Sequence, residues 1–494
     1  MYLGIDLGTS ELKLLLLDDQ HRIVGGVGEP LTVSRPQPLW SEQAPADWWT
    51  ALDTAMQHLR VTQPSAMAAV RAIGLSGQMH GAVLIDAQHT VLRPAILWND
   101  GRSGAQCAAL EAALPALTDI AGNLAMPGFT APKLLWVREH EPHLFARTAR
   151  VLLPKDWLRL QLTGECVSDM SDASGTLWLD VGARRWSDEA LSACGLTRDH
   201  MPRLVEGSDV SGRLQPVMAD RWGLRAGIVV AGGGGDNAAS AVGIGAVQPN
   251  QGFVSLGTSG VIFLASDGFH PDPHSAVHAF CHALPGRWHQ MSVMLSAGSA
   301  LRWACNLLGA PSEAVLLERV AALTPAQRAH APLCLPYLSG ERTPHNDPNA
   351  QGVLFGLTHT HDAAAIAYAV VEGVSFGLAD GWASLQRAPS AVTALSLVGG
   401  GARSELWAQL LASVLGVTLQ VPAGAEAGAA LGAARLAWLA DGGDESDVCR
   451  AAAVAREFRP VASEAALLAP RRERFRALYP ALRSHFAFSR QADA

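Results

Sequence analysis

Lysine is nearly missing from this chain: Lys13, Lys133 and Lys155 are the only three, and arginine carries the rest of the positive charge. None of the three follows a glycine, which excludes the Gly-Lys-[Ser/Thr] core of a Walker A phosphate loop. The scarcity reads first as a compositional bias. Its sharper reading is that these sites want a compact ammonium instead of a planar fork, and Lys13, beside a Gly-Thr-Ser turn, is the most interesting of them. Cysteines are few and unpaired in pattern. The seven, at 107, 166, 194, 281, 305, 334 and 449, form no Cys-x-x-Cys motif, so free thiols in a reducing cytoplasm are expected instead of a disulfide framework. His278, Cys281 and His282 have a metal-like look, but in a strand the two histidines share one face and the cysteine takes the other, with no fourth ligand at a suitable spacing. A long apolar run is also lacking. The uncharged stretch 237–266 is broken by glycines, Pro249 and Asn250, so strands and turns are expected there, not a membrane span. Met1-Tyr2-Leu3-Gly4-Ile5-Asp6 has no basic region and does not read as a signal peptide. A net charge of −8 argues against general nucleic-acid or anionic-membrane binding.

What is present is enough for a large, well-packed protein. With 494 residues, 49% hydrophobic and 17% charged, two or three domains are expected. Two segments share one plan. Apolar runs at 2–6 and 12–17 flank Gly8-Thr9-Ser10, and runs at 253–256 and 261–264 flank Gly257-Thr258-Ser259-Gly260. Each predicts a strand, a tight turn and a returning strand, and the spacing predicts a duplicated domain instead of a solenoid. Helices are predicted at 47–60 after Pro45, at 364–387, at 405–416 between Ser404 and Gly416, and through the Ala/Gly-rich 426–440. Alternating strands and helices give an α/β fold. The boundary falls near 246–250, dividing the chain into 1–246 and 247–494. A terminal helix from about 465 is expected to return over the first domain.

The turns suggest chemistry. A Gly-Thr-Ser turn points backbone N–H groups into one concavity that suits phosphate oxygens, and two copies one domain apart are far more specific than one. Asp6 ends the first strand where it can hold a metal against phosphates, directly or through water, and Lys13 returns beside it. Gly232-Gly233-Gly234-Gly235 lacks the spacing of a dinucleotide loop. It follows the apolar strand 227–231 and sets Asp236-Asn237 at a strand end, where a carboxylate can accept the proton of a substrate hydroxyl during phosphoryl transfer. Gly399-Gly400-Gly401-Ala402-Arg403-Ser404 offers bare backbone to a flat ring. Gln78-Met79-His80-Gly81 and Trp98-Asn99-Asp100-Gly101-Arg102 close short strands, where open α/β folds bind ligands. Read alone, His80 serves a structural role as readily as a binding one.

Taken together with Pro38-Leu39-Trp40-Ser41-Glu42-Gln43, Met126-Pro127-Gly128-Phe129, Leu153-Pro154-Lys155-Asp156 and Leu335-Pro336-Tyr337-Leu338-Ser339-Gly340-Glu341-Arg342, these motifs resemble the FGGY carbohydrate kinases over nearly the whole chain. The resemblance implies two ribonuclease-H-like domains, as in the actin/Hsp70/sugar-kinase ATPases, with the active site in the cleft between them. It implies an N-terminal sugar-binding and a C-terminal nucleotide-binding domain, a homodimer, and ATP with Mg²⁺ as cofactors. Among the family's substrates it points to D-xylulose, with ribulose, gluconate, fuculose or a polyol as alternatives. It assigns Asp236 as catalytic base, and Met79, His80, Asp236 and Asn237, with Trp98 and Asn99, to the sugar. It assigns Asp6, Thr9, Thr258 and Ser259 to the phosphates, with Asp6 reaching the metal through water, and Gly400, Gly401 and Ala402 to adenosine; by their place at the two turns, Lys13 and Gly257 are expected at the phosphates too. The chain departs from the family at Glu11, where Gly is usual and a charge is expected to point away. It departs again at Gly232, one glycine more than usual, and at Ser404-Glu405, where glycerol kinases have Asn.

Overall fold

The computed structural model describes residues 1–385, 392–424 and 427–486. The last two residues of the helix expected at 364–387, and the first of the 426–440 stretch, lie outside them. Two seven-stranded sheets carry the fold. In the first, Tyr2–Leu7 pairs antiparallel with Glu11–Leu17 and parallel with Ala72–Gly77. In the second, Gly252–Leu256 pairs antiparallel with Gly260–Ser266 and parallel with Ala394–Val398. The duplication read from the two turns is therefore a duplication of sheet topology. Each core is a hairpin joined to one parallel neighbour, and that neighbour arrives through a crossover.

The first sheet is covered on both faces. Leu3, Ile5 and Leu7 alternate into a core with Trp48, Leu52 and Met56 of the helix Pro45–Thr62. Tyr2, Gly4 and Asp6 take the opposite face, where Tyr2 packs with Ala430 and Ala434 of the helix Gly428–Ala440. That helix comes from the C-terminal part of the sequence and lies across Tyr2–Leu7, Ala72–Gly77 and the helix Asp236–Ile244. Its Ala/Gly composition is explained by distance. A Cβ on Gly4 or Gly74 would run into the carbonyls of Ala430 and Ala433, and one on Gly432 into that of Ala239. Side chains here would force the two halves apart.

The terminal helix, Ala462–Phe486, does not return over the first sheet. It packs on Ala363–Leu385 and Glu405–Leu415, with Arg471 donating to both oxygens of buried Glu372 at 2.6 Å. The return to the first half is made by Gly428–Ala440 instead. Ala363–Leu385 is long and apolar enough to cross a membrane, but 89% of its apolar window is buried inside the protein.

Candidate active site

The carboxyl ends of the central strands of the first sheet gather the polar residues. Asp6 sits at the end of Tyr2–Leu7, in register with Ser76 and directly across from Lys13. The loop 232–235 runs beside Ala72–Gly77, pairing Gly234 with Ser76 and Gly235 with Gly77. This delivers Asp236 to the first position of the helix Asp236–Ile244, against Asp6. The extra glycine has a reason. Gly232 passes close under the Glu206 carbonyl, and Gly233, at φ +79°, passes close under that of Leu75, so a side chain at either would block the turn.

Two carboxylates share the crevice. Burial, with the charge of Asp236 next in importance, pushes the Asp6 carboxyl up to about 7. Burial pushes Asp236 up to about 6, opposed by hydrogen bonds from the Asn237 backbone N–H (2.7 Å) and side-chain amide (3.0 Å) to its Oδ1. No other hydrogen bond among the described residues falls on Asp236, and Asp6 Oδ1 is buried without a partner. A helix N-terminus favours the ionised form of Asp236. The pair thus presents one carboxylate poised to take a proton near neutrality and one orphaned oxygen of the kind a hard cation takes.

The first Gly-Thr-Ser turn is less open than its sequence suggests. Thr9 Oγ1 donates to Gln78 Oε1 at 3.0 Å and accepts from the Trp98 indole at 2.9 Å, so its hydroxyl is committed. Gln78 in turn donates to Gln43, whose amide reaches the Thr9 carbonyl at 2.8 Å. Lys13 is half exposed and pairs with Glu11 at 3.2 Å. Glu11 does not point away. It shares the Lys13 face, raises Asp6 slightly, and leans over Gly28 of the neighbouring strand, its charge offset by Lys13.

His80 stands in the left-handed region at φ +69°, a conformation that residues other than glycine adopt mainly where surroundings enforce it. Its carbonyl accepts from Lys133 Nζ (2.8 Å) and Thr130 (3.1 Å), and its Nδ1 meets the Gly175 carbonyl at 2.8 Å. That contact requires the proton on Nδ1 and leaves Nε2 as acceptor. Burial lowers the ring to about 3, so it stays neutral. Phe129 packs edge-on at 4.8 Å, and His278 and Phe280 stand behind it. His278 bonds Asn123 and Arg342, and the strand His278–Cys281 ends before His282; no metal arrangement forms from these residues. Met79 is 6% exposed and packs against Gly235, holding the loop more than facing a ligand. Asp100 and Arg102 lock their turn internally, with Arg102 stacked 3.6 Å over Trp40, which leaves Trp98 and Asn99 exposed at the rim.

A second region, in the other half, is a cavity of about 940 Å³ lined by Gly257, Thr258, Gly298, Ser299, Gly400 and Gly401, with apolar walls from Leu301, Leu317 and Leu406. The size and the exposed glycine backbone suit a nucleotide. Ala402 is buried and points elsewhere, while Ser259 closes the turn by accepting the Gly257 N–H at 3.1 Å. Gly298 and Ser299 were missed in the sequence. The Ala-Gly-Ser start of their helix was the available signal.

Residues 1–243 match the FGGY family of carbohydrate kinases, N-terminal domain, and 252–440 match its C-terminal domain. The chain belongs to the FGGY carbohydrate kinases. It is similar to a xylulose kinase of Escherichia coli K12, 54% identical over 485 residues covering 98% of this chain and 99% of that one. A Bacillus subtilis xylulose kinase is 37% identical over 415 residues, 83% of each chain. The crystal structure of a xyloylose kinase from Brucella ovis superposes with TM-score 0.94 at 50% identity, covering 98% and 99%. A glycerol kinase from Plasmodium falciparum with ADP shares the fold alone, at TM-score 0.87 and 19% identity over 97% of each chain. As an FGGY kinase the protein is a two-domain α/β sugar kinase that uses ATP.

Proposed function

We propose that this kinase transfers the γ-phosphoryl group of ATP to the 5-hydroxyl of D-xylulose, giving D-xylulose 5-phosphate and ADP. The observation that carries the reading is Asp236, a carboxyl held near pKa 6 at a helix N-terminus beside Asp6. Full-length similarity to xylulose kinases supports the sugar. Asp236 accepts the hydroxyl proton as the sugar oxygen bonds to phosphorus and the bond from phosphorus to the bridging oxygen of ADP breaks. Neutral His80 offers Nε2 as a hydrogen-bond acceptor to a sugar hydroxyl, with Asn237, Trp98 and Asn99 assigned to the same sugar. Thr258, Gly257, Gly400 and Gly401 take the nucleotide, and Lys13 lies across from Asp6. The orphaned Asp6 oxygen fits Mg²⁺, which when bound offsets phosphate charge.

The division into a sugar-binding half, 1–246, and a nucleotide-binding half, 247–494, belongs to this reading, as do a homodimer and a cytoplasmic location. Seven free cysteines, six of them buried, support a reducing compartment. The test is ADP release over a panel of pentuloses, hexuloses and polyols, with and without Mg²⁺. The highest kcat/KM is expected with D-xylulose and Mg²⁺. A markedly higher value for ribulose, gluconate, fuculose or a polyol overturns the assignment.

A further inference from the structure

Lys155 is the lysine that the structure singles out. Its side chain is 0% exposed, and Nζ lies 2.6 Å from Asp156, 2.7 Å from Asp169 and 3.0 Å from Asp172. The three aspartates lie close enough together to resemble a metal site, and the ammonium stands among them as the cation. Arg159 adds a second positive charge, 2.8 Å from Asp156. Isolated charges so deep are costly, so a network of this kind persists only with near-complete pairing. A guanidinium is larger than an ammonium and needs planar partners, whereas three converging carboxylates suit a compact one.

The network has two arms, and both end on the loop that carries Asp236. Arg159 Nη2 donates to the Gly232 carbonyl, and its Nη1 holds the Val167 carbonyl at 2.6 Å. Asp169 caps the short helix Met170–Ala173 by accepting the Ser171 N–H at 2.8 Å and the Ser171 hydroxyl. That hydroxyl then accepts the N–H of Gly235, the residue before Asp236, at 3.1 Å. The same turn continues to Gly175, whose carbonyl fixes His80 Nδ1 at 2.8 Å. One short segment, 169–175, therefore sets the position of the base and the tautomer of the histidine. Its anchor is Lys155.

We propose that Lys155, acting through Asp169 and Ser171, is a positioning residue for phosphoryl transfer. It fixes the 232–235 loop so that Asp236 meets the attacking hydroxyl. This rests on the assignment of Asp236 as base. A misplacement of about 1 Å at a reacting group costs about 100-fold in rate.

The experiment compares Ser171→Ala and Lys155→Met with wild type, using whichever sugar the wild-type enzyme turns over fastest, so that an error in the sugar assignment does not affect it. Steady-state constants are measured from about pH 5 to pH 9, with thermal melts alongside. Ser171→Ala removes one hydroxyl and leaves the ion cluster intact. It is expected to lower kcat by about 10-fold to 100-fold and to shift the acidic limb of kcat, with KM for ATP within about twofold of wild type. Lys155→Met is expected to lower kcat further. If Lys155→Met does not fold, Ser171→Ala decides alone. A folded Ser171→Ala enzyme with wild-type kcat and acidic limb, or one altered only in melting temperature, overturns the proposal. An acidic limb that survives Asp236→Asn would overturn the base assignment instead, and so separates the two failures.

Discussion

The Trp98 indole N–H donates to Thr9 Oγ1 at 2.9 Å, joining the exposed 98–99 turn of the first half to its Gly-Thr-Ser turn. Trp98 is 40% exposed, so a ligand at the rim touches the residue that holds the turn. Trp98→Phe keeps the ring and deletes the donor. It is expected to raise KM for sugar and lower kcat by a few-fold each, since a neutral hydrogen bond contributes about 1 kcal/mol. Unchanged steady-state constants would show that the contact does not communicate.

Asp236→Asn should cut kcat by about 100-fold to 10,000-fold, the range for a general base, while equilibrium binding of ATP and sugar persists. Retained full turnover in a coupled ADP-release assay would sink the assignment.

The same substitution should stabilise the ligand-free protein, by an amount that depends on pH. The folded carboxyl is raised from 3.8 to about 6, so keeping it ionised costs stability, on the order of 2–3 kcal/mol at most. That cost is full above about pH 6 and vanishes below about pH 4, where the carboxyl is protonated folded or unfolded. Melts of wild type and Asp236→Asn should therefore differ at neutral pH and converge in acid. A constant difference would mean that the shift is not the cause.

In the pH profile of kcat/KM, which reports groups of the free enzyme, activity is expected to fall tenfold per unit below about 6, as Asp236 takes up its proton. His80 stays neutral through this range, its ring lowered to about 3 by burial. His80→Gln should thus raise KM for sugar and leave the acidic limb where it is. A limb that moves with His80→Gln would make the histidine the titrating group.

Gly74→Ala tests the contact between the halves. The new methyl would meet the Ala433 carbonyl in the helix Gly428–Ala440. Overpacking of this kind costs about 1–3 kcal/mol, and denaturant melts should show it. An unchanged midpoint would mean that the helix shifts freely on the sheet.

The local signals were strong wherever chemistry constrains neighbours in sequence. Both hairpins and the helix capped by Ser404 and closed by Gly416 were legible because period, cap and turn residues act over a few positions. The position of Asp236 after a glycine loop was legible because the loop and the residue are contiguous. By contrast, the hydrogen bonds of the Thr9 hydroxyl were not legible, since Gln78 and Trp98 reach it from 69 and 89 residues away. Ala402 carried the right motif but faces inward, a matter of helix phase that a glycine run does not reveal.

The lysines draw the line most clearly. The sequence by itself determined that there are three, that none serves a Walker loop, and that two Gly-Thr-Ser turns join the strands of two like hairpins. It pointed to Lys13, because that residue is adjacent in the chain. The tertiary structure left Lys13 half exposed against Glu11 and buried Lys155 among three aspartates whose hydrogen bonds lead to the 232–235 loop. Only the fold decides which charges lose their water, and a charge without water is bound to its partners by far stronger fields than one at the surface.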